Sequence, residues 1–118
     1  MTVVQNGDGN AVSFTQSGDS NLADITQTGD SNVATLLDQS GSDNNLTVVQ
    51  NGDSSTIAVT ESGNFNDASI SQTGNLHNAT LVQSGSDNTA TIGQSGITAQ
   101  LAELTQSGNG NTTTITQN

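Results

Sequence analysis

Apolar residues recur in pairs with a single, mostly polar residue between them. The pairs are Val12 and Phe14, Ala23 and Ile25, Ala34 and Leu36, Leu46 and Val48, Ile57 and Val59, Ala68 and Ile70, Ala79 and Leu81, Ala90 and Ile92, and Ala102 and Leu104. Thr113 and Ile115 close the series. A two-residue period is that of an extended strand with one buried face. An Asn commonly stands two residues before each smaller member and a Gln two residues after each larger one, so both amides fall on that same face. The pattern predicts strands with Asn, small apolar, large apolar and Gln turned inward. The alternate positions, such as Ser13 and Thr15, Thr89 and Thr91, or Thr114 and Thr116, suit a solvated outer face.

The pattern repeats over the whole chain. Gln stands at 5, 16, 27, 39, 50, 72, 83, 94, 106 and 117, with Glu61 in the one remaining place, at intervals of 11 or 12 residues. In the same count these are Gln5, Gln16, Gln27, Gln39, Gln50, Gln72, Gln83, Gln94, Gln106 and Gln117. Gly follows two residues later as Gly7, Gly18, Gly29, Gly41, Gly52, Gly63, Gly74, Gly85, Gly96 and Gly108. Asn follows five residues after the Gln as Asn10, Asn21, Asn32, Asn44, Asn66, Asn88 and Asn111, replaced by Ser55 and His77 in two copies. The Gly and the Asp, Asn or Ser after it supply turn chemistry, since Gly accepts positive φ and the short polar side chains bond to local backbone. In the copy that begins at Gln94, counting back from Gln106 places Ala102 and Leu104 inside and the extra residue in the turn near Ile97. The chain therefore reads as a single repeat domain, 1–118, of ten strand-turn units of 11–12 residues.

Eleven is odd, so an unbroken strand could not keep one face inward from copy to copy, and the turn must absorb the phase. Two units then make one rung. The expected fold is all-β, a flattened two-sheet β-solenoid of about five 22-residue rungs stacked ~4.8 Å apart. An 11-residue period also fits a right-handed helical coiled coil. That alternative fails on the glycines, each of which costs a helix about 1 kcal/mol.

An inward amide without a partner costs roughly 1–3 kcal/mol, and this pattern turns inward one Gln and usually one Asn per unit. Stacking resolves the cost, because like amides one rung apart can bond to one another in a ladder that also holds register. The ladder is not satisfied at its ends. The first strand, from Thr2 to Gln5, and the last, from Asn111 to Gln117, carry the same pattern as the middle, with no Lys or Pro to block an edge. Each end is expected to template another copy, giving a head-to-tail homopolymer whose stacked state is more stable than the monomer.

Composition narrows the function. The 118 residues include no Lys, Arg, Cys, Pro, Trp or Tyr, and eleven acids give a formal charge of -11. Nothing can neutralise phosphate, so no nucleic-acid partner is expected. No apolar run approaches the ~20 residues of a membrane span, so no membrane insertion is expected either. Low hydrophobicity with high charge ordinarily means disorder, a reading that the repeat reverses. The opening Met-Thr-Val-Val-Gln lacks the charged head and apolar centre of a secretory signal, so a cytosolic or a processed chain is expected.

The Gln-x4-Asn-x5-Gln spacing, whole at Gln5-Asn10-Gln16, Gln16-Asn21-Gln27, Gln39-Asn44-Gln50 and Gln83-Asn88-Gln94, resembles the curlin repeat of bacterial curli fibre subunits. The resemblance covers the entire chain. It implies a subunit secreted through the outer membrane by a secretion channel, unfolded in transit, that assembles on the cell surface into extracellular amyloid fibres of the biofilm matrix. It also implies a minor nucleator subunit as a partner, and the uniformity of the repeats favours the major subunit here. The chain departs from many curlin repeats in lacking basic and most aromatic residues, in having two nearly equivalent half-units, and in starting at once with repeats.

Candidate chemistry is sparse. His77 is the one imidazole and occupies an Asn place, with no second His or Cys to complete a metal or catalytic group, so it is read as a ladder substitute. No catalytic residue and no cofactor is expected, since no nucleophile-base pair can be named. Asp8, Asp30 and Asp53 share a phase in alternate turns, so a 22-residue rung stacks them along one edge; no metal site is expected there, only solvated turn carboxylates with diffuse counterions, the alternative being a column that attracts Ca²⁺ or is neutralised by acid. A second functional class, a monomeric ice-binding solenoid, is suggested by the outward Thr, although Ala58, Val49, Val82 and Gly93 interrupt the array. An adhesin-type soluble rod is a third. The expectation adopted is an extracellular structural protein that assembles through its Gln and Asn columns and supports surface adhesion.

Overall fold

The structure, a computed structural model, describes residues 1–118 apart from the side chains of Leu36 and Leu37. Eleven strands follow one another with no helix among the described residues. They are β1 (Thr2–Asn6), β2 (Ala11–Ser17), β3 (Leu22–Thr28), β4 (Val33–Ser42), β5 (Asn45–Asn51), β6 (Thr56–Asn64), β7 (Asp67–Thr73), β8 (Asn78–Ser86), β9 (Thr89–Ser95), β10 (Leu101–Asn109) and β11 (Thr112–Gln117). Odd strands form one parallel sheet of six and even strands a second of five, each strand pairing with the strand two along in sequence. Consecutive strands thus lie in opposite sheets. Two of them complete a rung of 22 or 23 residues, the separation of stacked glutamines. The fold is the two-sheet β-solenoid of about five turns that the 11-residue period predicts.

The interior is one residue pair wide. Ala23, Ile25, Leu46, Val48, Ile57, Val59, Ala68, Ile70, Ala79, Leu81, Ala90, Ile92, Ala102 and Leu104 are buried, and Val12, Phe14 and Ile115 pack partly against them near the two ends. The second position of each pair stacks large on large, as with Ile70 on Ile92, whereas the first mixes sizes: Ala68 lies on Ala90, but Leu46 lies between Ala23 and Ala68, and Ile57 between Ala34 and Ala79. A larger first-position residue between two alanines helps fill the space that they leave, so the core is packed without long side chains. The inward placement expected of Leu36 falls outside the described side chains.

The two 12-residue intervals are accommodated in different ways. In β4, Thr35 pairs with Ala58 and Asp38 with Thr60, so one extra residue bulges from the strand before Gln39 returns to register. Between Gln94 and Gln106 the extra residue lies in the turn, where Ile97 is fully exposed and Ala102 and Leu104 are restored to the interior.

Every turn but the one at Gly96 brings the chain round with two positive-φ residues. The Gly two after the Gln has positive φ, 109° at Gly41, and a methyl there would run into the carbonyl oxygen of Gly63 one rung on. Two residues later a second left-handed position is filled by Ser20, Ser31, Asp43, Ser54 and Asp87, which suit it, and by Phe65 and Leu76, which do not.

Candidate functional site: the stacked amide columns

Period two sends every repeat Gln inward at the end of its strand, and parallel register places it over the Gln one rung away. In the odd sheet the column is unbroken. Gln5 donates from Nε2 to Oε1 of Gln27 at 2.8 Å, Gln27 to Gln50 at 2.8 Å, Gln50 to Gln72 at 3.0 Å, Gln72 to Gln94 at 2.9 Å and Gln94 to Gln117 at 2.9 Å. All the donors point toward the higher-numbered rung, so the column is polar along the axis. The second Nε2 hydrogen serves backbone carbonyls of the facing strand, as from Gln27 to Ala11 at 3.2 Å and from Gln72 to Thr56 at 3.2 Å. These amides are buried from Gln27 to Gln94, and the hydrogen bonds are what make that burial tolerable.

The even column is interrupted. Gln16 donates to Gln39 at 2.9 Å, Gln39 donates to Oε2 of Glu61 at 2.9 Å, and Gln83 donates to Gln106 at 3.1 Å. Glu61 pairs in register with Gln83. Its other oxygen, Oε1, has no partner, and neither has Oε1 of Gln83. Desolvation raises the Glu61 pKa from 4.5 to about 7, with the Gln39 hydrogen bond lowering it and the charge of Asp67 raising it.

The Asn side chains bond mainly to backbone. Asn21 Nδ2 donates to the Gly41 carbonyl at 2.9 Å and Asn44 Nδ2 to that of Gly63 at 2.8 Å. Asn Oδ1 accepts the backbone N–H of the Asn one rung on, as Asn44 accepts from Asn66 at 3.0 Å. Along the edge holding Asn21, Asn44, Asn66, Asn88 and Asn111, side chains also bond to one another, at 3.1 Å in each of four steps. The opposite edge is mixed. Asn10 and Asn32 bond to turn carbonyls at 2.7 and 2.6 Å, and then Ser55 and His77 take the place. His77 is buried, its Nε2 3.1 Å from the Thr73 carbonyl and its Nδ1 without a partner.

Gln100 fills the next place in this column and went unrecognised in the sequence pattern. Its Nε2 donates to the Ser95 carbonyl at 2.9 Å. The turn insertion shifts it out of the forward count from Gln94. The same backward count from Gln106 that locates Ala102 and Leu104 finds it.

Asp8, Asp30 and Asp53 do stand in successive turns of one edge. Backbone N–H of Asp8 donates to Asp30 Oδ1 at 2.8 Å, that of Asp30 to Asp53 Oδ1 at 2.9 Å, and that of Asp53 to Asn75 Oδ1 at 2.9 Å. One oxygen each of Asp30 and Asp53 is thereby engaged in the turn. No group of three acids or imidazoles converges as a metal site among the described residues.

Backbone pairing, apolar pairs and amide columns all run in one direction and repeat at a fixed rung, which defines a repeat protein built for stacking. Models of protein families give the same answer. The curlin associated repeat matches residues 2–29, 18–52 and 63–96, well over half of the chain. The chain belongs to the curlin repeat family, whose members are structural components of extracellular curli rather than enzymes. Neither the curated proteins nor the solved structures give a match.

Proposed function

We propose that this curli-type structural subunit polymerises head to tail into extracellular amyloid fibres of a biofilm matrix and supports surface adhesion, with no catalytic activity and no cofactor. The observation that carries this reading is the one-way Gln column. A joint between two copies requires only the Gln-on-Gln bonds and parallel strand pairing that the odd sheet already makes at each internal step. In this chain β1 and β2 at one end and β10 and β11 at the other each have one strand neighbour, so each can take a second. The major-subunit role, with a nucleator and a secretion channel as partners, is the part of the proposal that rests on family membership.

The test is seeded assembly of the purified 118-residue chain. Dilute protein should form thioflavin-binding fibres after a lag, sonicated fibres should abolish the lag, and fibre reconstruction should show rungs of 22 or 23 residues. A compact monomer that never seeds refutes the proposal. Thermal hysteresis from such a monomer would establish the ice-binding alternative instead.

A further inference from the structure

We propose that Glu61 is a proton-binding site: in the folded solenoid its carboxyl is neutral, and its Oε1–H donates to Oε1 of Gln83, joining the two halves of the even Gln column. The case begins with two unpartnered acceptors on residues paired in register. Glu61 and Gln83 are both fully buried, paired one rung apart, and each keeps one oxygen with no hydrogen-bond partner. At every other step of both columns an N–H fills this place, for example from Gln39 to Glu61 and from Gln83 to Gln106. A carboxylate has no hydrogen to offer, so the ionised form leaves two buried oxygens without a donor, whereas one added proton satisfies both.

Beyond the Gln39 hydrogen bond, the surroundings offer the charged form no compensation. The sequence holds no Lys or Arg. Of the strands packed around Glu61, β5 and β8 carry no ionisable side chain, β4 carries Asp38, and β7 carries Asp67, whose negative charge opposes ionisation. His77, the one imidazole of the sequence, precedes β8 at the opposite edge.

Proton uptake therefore accompanies folding. The folded-state pKa of about 7 lies above the ordinary 4.5, so the stabilisation is complete below pH 4.5 and is lost as pH rises through the folded value. Tenfold per pH unit for one bound proton gives a fall of roughly 100- to 300-fold in the folding equilibrium between pH 4.5 and 8. Mild acid would thus favour the stacked state. The inference concerns the interior of one chain and does not rest on the fibre reading.

The experiment uses the full chain labelled with ¹³C-glutamate and carrying Glu103→Gln, which removes the one other, exposed glutamate. The Glu61 carboxyl signal of folded protein, monomeric or fibrous, is followed by NMR from pH 4 to 8. A carboxyl that is neutral at pH 6 is expected, and one still ionised at pH 5.5 overturns the proposal. In a His77→Asn background, Glu61→Gln supplies the missing N–H permanently. That variant should lose the 100- to 300-fold fall seen in its parent, and an equal fall in both overturns the proposal. Since the NMR reading needs only folded protein, failure to form fibres would count against polymerisation and leave this result intact.

Discussion

Replacing Gln50 with Leu separates the contribution of the amide column from that of packing. Gln50 is fully buried at mid-column. It accepts from Gln27 at 2.8 Å and donates to Gln72 at 3.0 Å, to the Ser55 carbonyl at 2.9 Å and to the Val33 carbonyl at 3.3 Å. Leu nearly preserves volume and adds apolar contact, so a core held by packing alone should barely notice the change. The column predicts otherwise. Gln72 Oε1 loses its side-chain donor, and Gln27 Nε2 keeps only its bond to the Ala11 carbonyl at 3.2 Å. Two buried groups each lose a partner at about 1–3 kcal/mol, and the apolar contact that Leu gains offsets part of the sum, so the expected cost is about 2–4 kcal/mol.

The assay is urea unfolding if the monomer folds reversibly. For fibres it is the critical concentration, which should rise about a hundredfold for 3 kcal/mol. Gln5→Leu at the exposed end removes a single bond and should cost no more than about 1 kcal/mol. The double variant Gln50→Leu, Gln72→Leu should cost less than the sum of its parts, because it eliminates the oxygen that the first change orphans. A Gln50→Leu protein within 0.5 kcal/mol of the parent, or strict additivity, refutes the claim that the column is energetically coupled.

The turns give two further tests. Gly41→Ala meets both a positive φ and the Gly63 carbonyl and should cost more than about 3 kcal/mol or prevent folding, whereas Gly93→Ala has its nearest neighbour at 4.0 Å and should be neutral or stabilising by up to about 1 kcal/mol. Equal losses of thermal stability would show that the close approach is not the cause. Phe65→Asn and Leu76→Asn, at exposed residues with φ of 57° and 63°, should each stabilise by about 1 kcal/mol in the same melts. Loss of stability would mean that the two apolar side chains make contacts outweighing their strain.

The 11-residue interval and the two-residue alternation were enough to determine the strands, their inward residues and the two-strand rung, because both are local properties of an extended chain with one buried face. Ala102 and Leu104 were legible even across an insertion, since Gln106 marks the phase from the other side. Tertiary structure decided what depends on which rung meets which. It put one insertion into a bulge of β4 and the other into a turn, and it directed the Asn amides mainly to turn carbonyls and backbone N–H groups. It also paired Glu61 with Gln83 and left one buried oxygen of each without a donor. Hydrogen-bond partners 22 or 23 residues apart are fixed by parallel register, and register is a property of stacked rungs that no single copy of the repeat contains.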